Sequence, residues 1–330
     1  MADAFLPYLV LWTAILAYFL LASIDFGSGF YHLLSLRHPR GEDVRRALRS
    51  YVSPRWEVTN VFLIMIVVGA AAFFPGLVGV LGTVLLIPVM LVVILFVVRA
   101  AFLVFDYFEG GNRLFAIGYA VAGLLILPLL SVVLTLIIAN PVVVTGGVPT
   151  FDVVSPLYRP VTYVTAFLAF FGQILLSGTL GLYYDERRED AELYRLPVFA
   201  SLGAVAVLGL LELLLLQADA GYVFANMVGL APAMIVTGAL FGLAGLLTWR
   251  KDRKEALYAF ALFVAVDAGA LMTFALAHYP YLIYPDVTAS AALASPTMLD
   301  VLTIALAAGL AVVVPALLLL NYLFRSEKAY

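Results

Sequence analysis

Six ionisable side chains stand where so apolar a chain has little room for them. The sequence is 65% hydrophobic and 12% charged, yet Asp25, Glu57, Arg99, Asp106, Glu212 and Asp267 lie inside long apolar runs or at their ends. A charge at the centre of a bilayer costs about 2.5–3.5 kcal/mol on insertion scales, so such residues mark ion or proton paths or are tied into ion pairs. Acids with one arginine among them suit proton transfer. Carboxylates pick up and release the proton, and a guanidinium holds them ionised or orders water between them. The same set also suits a structural ion pair tying helices together, and spacing alone leaves the two readings level.

The elements that must hold these residues follow from hydropathy. An ordinary soluble domain has about 25% charged residues, twice the share found here, so the chain is a polytopic membrane protein. A span takes about 20 apolar residues, and nine segments qualify: 7–34, 58–76, 79–106, 114–139, 160–184, 195–217, 225–249, 255–278 and 299–324. None alternates with the period of a membrane barrel, so the spans are helices. The turn at Phe74-Pro75-Gly76 separates the second from the third. Sixteen of the eighteen Lys and Arg residues fall in odd-numbered connections or at the C-terminus. The positive-inside rule therefore puts the N-terminus outside and the C-terminus in the cytoplasm. The N-terminus MADAFLPY lacks the basic start of a cleaved signal, so the first run is expected to stay as a span. The whole of 1–330 reads as one integral membrane domain. It divides into a first helical bundle (1–139), an outer loop (140–159), a second bundle (160–278), and an outer loop with the ninth helix (279–330).

Depth then sorts the candidates. The first helix runs inward, the second outward and the third inward. Asp25, Glu57, Arg99 and Asp106 thus share the cytoplasmic leaflet on three consecutive helices, with Arg99 about 10 Å deeper than Asp106 at 1.5 Å per residue. This is the order of a polar path entering from the cytoplasm. Asp267, mid-way along the eighth helix, reads as a hydrogen-bonded neutral acid or a second relay element. Glu212, in the outer half of the sixth, could face a partner subunit or a quinone headgroup. His32, His38 and His278 fall at different depths and read as interfacial polar residues, so the chain alone is not expected to hold haem. Without a cysteine there is no disulfide, thiolate metal site or cysteine nucleophile. The spacings Gly27/Gly29 and Gly238/Gly242/Gly245 allow close helix approach.

Several short motifs, in order along the chain, resemble subunit II of the cytochrome bd-type quinol oxidases. They are Ser23-Ile24-Asp25-Phe26-Gly27-Ser28-Gly29, then Pro54-Arg55-Trp56-Glu57-Val58-Thr59-Asn60-Val61-Phe62, then Ala71-Ala72-Phe73-Phe74-Pro75. Arg99 with Phe105-Asp106-Tyr107 follows, and last come Tyr279-Pro280, Pro285, Ser295, Thr297 and Asp300. The resemblance implies two four-helix bundles plus one peripheral helix, and no haem in this chain. It implies a haem-bearing subunit I (b and d types, or b only), quinol as the substrate of the complex, and small single-helix accessory subunits as further partners. The family's proton-path acids and arginine map to Asp25, Glu57 and Arg99, with Asp106 a further candidate at the cytoplasmic mouth. The chain departs from the family where Trp-Asp-Gly-Asn is Trp56-Glu57-Val58-Thr59, and where the Gly-Phe before the first acid is Ser23-Ile24. The expected function is support of subunit I and delivery of cytoplasmic protons for reduction of oxygen to water, in a bacterial or archaeal plasma membrane. The alternatives are a stand-alone proton-coupled transporter, for which only Pro88 and Pro128 offer mid-span breaks, and a purely structural scaffold subunit.

Overall fold

Backbone groups in hydrocarbon must be satisfied within their own segment, and the apolar runs accordingly fold as helices in the computed structural model. It describes residues 2–38, 41, 44, 48, 56–109, 113–138, 142–145, 148–151, 154–184, 191–250, 252–305, 308–309, 311–312 and 315. The helices are α1 (Ala2–Ser35), α2 (Trp56–Phe73), α3 (Pro75–Val84), α4 (Leu86–Glu109), α5 (Arg113–Ile138), α6 (Pro160–Tyr184), α7 (Ala191–Asp219), α8 (Gly221–Gly229), α9 (Ala231–Trp249) and α10 (Arg253–His278). Among the described residues seven helices are long and apolar enough to cross a membrane, and the chain is a multi-pass membrane protein. The expected second and ninth spans are represented by shorter apolar helices, Thr59–Phe73 and Pro296–Ala305. The rest of the ninth span and most of the first basic connection lie outside the described residues.

Prolines decide where several helices begin, because proline needs no N–H in a first turn and disfavours helix in the residue before it. Pro75 opens α3 and Pro160 opens α6. Two expected boundaries are corrected by the same physics. The run 79–106 is interrupted at Leu85, so α4 starts at Leu86 with Pro88 in its first turn, not at a mid-span break. The run 225–249 is interrupted at Leu230, where Pro232 sits at the start of α9. Pro128 does lie within a helix, α5. Asp252 caps α10 by accepting from the Lys254 N–H at 2.9 Å, the usual way to satisfy an orphan donor at a helix start. The connections after α5 and α10, read from sequence as outer loops, hold two small antiparallel ribbons. One pairs β1 (Val142–Thr145) with β2 (Val148–Phe151), the other β3 (Tyr281–Ile283) with β4 (Val287–Thr288).

The core lies along α1, α5 and α6. α1 packs on α2, α5 and α6, and α6 packs in turn on α5, α7 and α10; α4 leans on α5 and α9 on α10. α4, α7 and α9 keep most of their apolar surface uncovered, whereas α5 and α6 bury at least half of theirs. Small residues set the close approaches. A Cβ on Gly27 would run into the Gln173 carbonyl of α6, and one on Gly29 would lie 3.0 Å from the Ala120 Cα of α5. Gly238 and Gly242 have nothing within 4 Å, so the packing role expected of them is not seen; Gly245 alone of that set meets a neighbour, Leu202. Gly27→Ala is therefore expected to cost about 1–3 kcal/mol through overpacking. Gly238→Ala should leave thermal stability unchanged or raised. Midpoints of thermal unfolding of the assembled complex check the pair, and equal midpoints would contradict the packing described.

Candidate functional site

Asp25 and Arg99 meet in the interior. Asp25 is on α1, within Ile24-Asp25-Phe26-Gly27, and Arg99 is on α4; their side chains are 1% and 3% exposed, which leaves no solvent to substitute for a partner. Arg99 Nη2 donates to Asp25 Oδ1 at 2.8 Å and to the Tyr119 hydroxyl of α5 at 3.0 Å. Two aromatic rings cover the guanidinium, its central carbon 4.7 Å from the centroids of both Phe26 and Tyr119. A desolvated cation against a ring gains on the order of 2 kcal/mol. Room for the side chain comes from Gly123, where a Cβ would stand 3.1 Å from Arg99 Nε. The Ser28 hydroxyl donates to the Asp25 backbone carbonyl at 2.6 Å.

The pair is only half satisfied. Asp25 Oδ2, Arg99 Nε and the Tyr18 hydroxyl are buried with no hydrogen-bond partner among the described residues. Leaving such a group unpaired costs about 1–3 kcal/mol, more for a charged one. A buried carboxylate oxygen without a protein partner is a place where a proton can arrive. Tyr18 is seven residues from Asp25 along α1, so it shares a face with it. It feels both charges and packs with Ala22, Phe26, Val92, Ile126 and Leu127. On its other side Arg99 reaches a groove of about 260 Å³ between α2 and α4, lined by Asn60, Leu63, Phe96, Val97 and Ala100. Exposed Val61, Ile64 and Val67 of α2 and Val93, Ile94 and Val97 of α4 flank it.

Of the sequence candidates, Asp25 and Arg99 are brought together. Glu57 lies in the first turn of α2 and Asp106 near the end of α4, and the side chains of both lie outside the described residues. Glu212 accepts from the Thr165 hydroxyl of α6 at its Oε1, 2.7 Å away, and its Oε2 has no hydrogen-bond partner among the described residues. The buried Oδ2 of Asp267 has no hydrogen-bond partner among the described residues. His278 closes α10 as its last residue. It is fully buried, its ring lies parallel to Phe274, and its Nδ1 is 2.7 Å from the Tyr222 hydroxyl. Among the described residues no three His, Cys, Asp or Glu converge to hold a metal ion. Sequence reasoning missed Phe26, Tyr119 and Gly123. The signal was present in Tyr119 and Gly123, one turn apart on α5, an aromatic and a gap on the same face.

Comparison with known proteins settles the family. Residues 4–324 match the family model of cytochrome bd terminal oxidase subunit II. The chain belongs to that family. It is similar to a Bacillus subtilis (strain 168) protein provisionally assigned as a cytochrome bd menaquinol oxidase subunit II, with 26% identity over 342 aligned positions covering 99% of this chain and 97% of that one. It is also similar in structure to the bd oxidase from Geobacillus thermodenitrificans. There the identity is 28% and the TM-score 0.85, across 98% of this chain and 99% of that one. The chain is thus a membrane-spanning member of a respiratory oxidoreductase complex that works with a subunit I, and the stand-alone transporter reading is set aside.

Proposed function

We propose that this chain is the haem-free subunit II of a bd-type terminal quinol:oxygen oxidoreductase, and that it supplies part of the cytoplasmic proton route to the oxygen-reducing haems of subunit I. The observation that carries this reading is the buried Asp25–Arg99 pair with one carboxylate oxygen left without a partner. A purely structural pair would gain from satisfying both oxygens, since a half-satisfied polar network is costlier than an apolar core. The positive-inside orientation (N-terminus outside, C-terminus cytoplasmic) puts the route's entrance at the Glu57 and Asp106 ends of α2 and α4. Glu57 precedes Asn60 by three residues, the spacing of one helix face, and Asn60 lines the groove that reaches Arg99.

In this reading α1, α2, α4 and α5 form one four-helix bundle and α6, α7, α9 and α10 the other, with the ninth span peripheral. Subunit I would cover the apolar α2/α4 wall around the groove, bringing its haems (b and d types, or b only) within reach of Asp25. When bound in subunit I, the haems pass electrons from quinol to oxygen. Asp25 takes up a proton at its free oxygen, Arg99 stays as the countercharge, and Glu57 feeds Asp25 from the cytoplasmic side. The complex would sit in a bacterial or archaeal plasma membrane, and small single-helix subunits would complete it.

A tagged copy purified from native membranes should bring down a haem-bearing partner, visible in a reduced-minus-oxidised spectrum; a haem-free preparation would overturn the oxidase assignment. Glu57→Gln tests the entrance. Turnover with quinol should fall, on the order of tenfold, at the low end or below the 10²–10⁴ typical of positioned proton-transfer groups because water can bypass a mouth residue. The haem spectrum should be unchanged. Full turnover in this variant would remove Glu57 from the route.

A further inference from the structure

We propose that Tyr119 of α5 is a positioning residue for Asp25: it fixes Arg99 on one carboxylate oxygen and thereby keeps the other open for the proton. The inference rests on the proton-delivery reading above. Tyr119 is 7% exposed and touches the guanidinium twice, through its hydroxyl at 3.0 Å from Nη2 and through its ring face at 4.7 Å. Nη2 thus has an acceptor for each of its two N–H bonds, Asp25 Oδ1 at 2.8 Å and the Tyr119 hydroxyl. The Phe26 ring also covers the guanidinium, its centroid 4.7 Å from the central carbon. Held by these contacts, Arg99 grips Asp25 through one nitrogen on one oxygen, and not in the forked, two-oxygen arrangement that an arginine and a carboxylate often adopt. A forked grip would occupy both oxygens. Gly123, one turn along α5, completes the seat, because a Cβ there would press on Nε at 3.1 Å.

The groups around Asp25 are few enough to make the test specific. Arg99 faces it from α4 and Tyr119 from α5, and Tyr18 lies along its own helix. α6, packed on Gly27, brings Gln173 and Ser177, which do not titrate. α10 meets α1 at Tyr8 and Trp12, more than ten residues away along the helix. α2 contributes Asn60 to the groove beside Arg99, and Glu57 lies on the same helix. His32, a further titratable group, stands edge-on to the Tyr119 ring at 6.1 Å.

The experiment uses the intact purified complex carrying Tyr119→Phe or Tyr119→Leu. Two readouts are taken: the pH profile of quinol-driven oxygen consumption, and the carboxyl infrared band identified by its loss in Asp25→Asn. Tyr119→Leu removes hydroxyl and ring, so Arg99 is released from its seat. The Asp25 band should move, and the alkaline limb of the turnover profile should shift by roughly one pH unit, the size of one charged hydrogen bond. Tyr119→Phe keeps the ring and should restore part of that shift, which mere packing would not predict for loss of a single oxygen. If Tyr119→Leu fails to assemble, Tyr119→Phe alone decides, since it removes one atom and opens no cavity. A wild-type carboxyl band and pH profile in Tyr119→Phe, with no greater change in any assembled Tyr119→Leu, would overturn the proposal. A shifted band with unaltered turnover would uphold the positioning role while sinking the delivery reading on which it was built.

Discussion

Asp25→Asn is expected to abolish most quinol oxidase turnover, by on the order of a hundredfold, while the complex assembles and its haem spectrum stays intact. The substitution keeps volume and shape, and an amide still accepts the 2.8 Å bond that Arg99 Nη2 donates to Oδ1. What is lost is the ability to take a proton at the free oxygen, and a positioned proton-transfer group is worth about 10²–10⁴ in rate. The deficit should be largest at alkaline pH, where proton supply limits the reaction, and steady-state oxygen consumption at several pH values measures it. Turnover within a factor of about two of the unaltered complex would assign Asp25 to structure, because so small a change is below any transfer role.

The second large effect separates holding the fold from moving protons. Arg99→Leu should destabilise the complex by about 3–5 kcal/mol, the usual consequence of leaving one member of a buried pair without its countercharge. The loss here is compounded because Phe26 and Tyr119 also lose the cation they cover. The double variant Asp25→Leu with Arg99→Leu removes both charges, and replacing a whole buried pair by apolar residues is often neutral or stabilising. Thermal midpoints should therefore fall sharply in the single variant and recover in the double one, whereas turnover should stay low in both. Recovery of turnover together with stability would mean that the pair serves only to hold α1 to α4.

How much of this could be read in advance depends on which physical signal carries each feature. Hydropathy and the distribution of arginines are one-dimensional signals, and they located the helices and put Asp25 and Arg99 at matching depth. Their meeting also needs the rotation of each helix about its axis. A helix that is apolar all round, facing lipid on one side and protein on the other, has no polar stripe to mark that rotation. Tyr119 was missed for this reason: its place beside Arg99 depends on the α4/α5 packing, where Phe102 fits over Gly118 and Gly123 leaves the seat for the guanidinium. The breaks at Leu85 and Leu230 were legible in principle from Pro88 and Pro232, which mark helix starts more readily than kinks. Glu212 shows the opposite difficulty. Its partner Thr165 is 47 residues away on α6, and nothing in the local sequence announces it.

Proton uptake by the complex during a single turnover separates a proton-transfer role for Asp25 from a structural one. Fully reduced complex, unaltered or carrying Asp25→Asn, is mixed with oxygen, and a pH dye and the haem absorbance are followed together. Electron transfer to oxygen should begin at the same rate in both, and the proton-uptake phase should slow by on the order of a hundredfold in the variant. Proton uptake at the unaltered rate in Asp25→Asn would contradict the account, and would leave the Asp25–Arg99 pair a structural tie between α1 and α4.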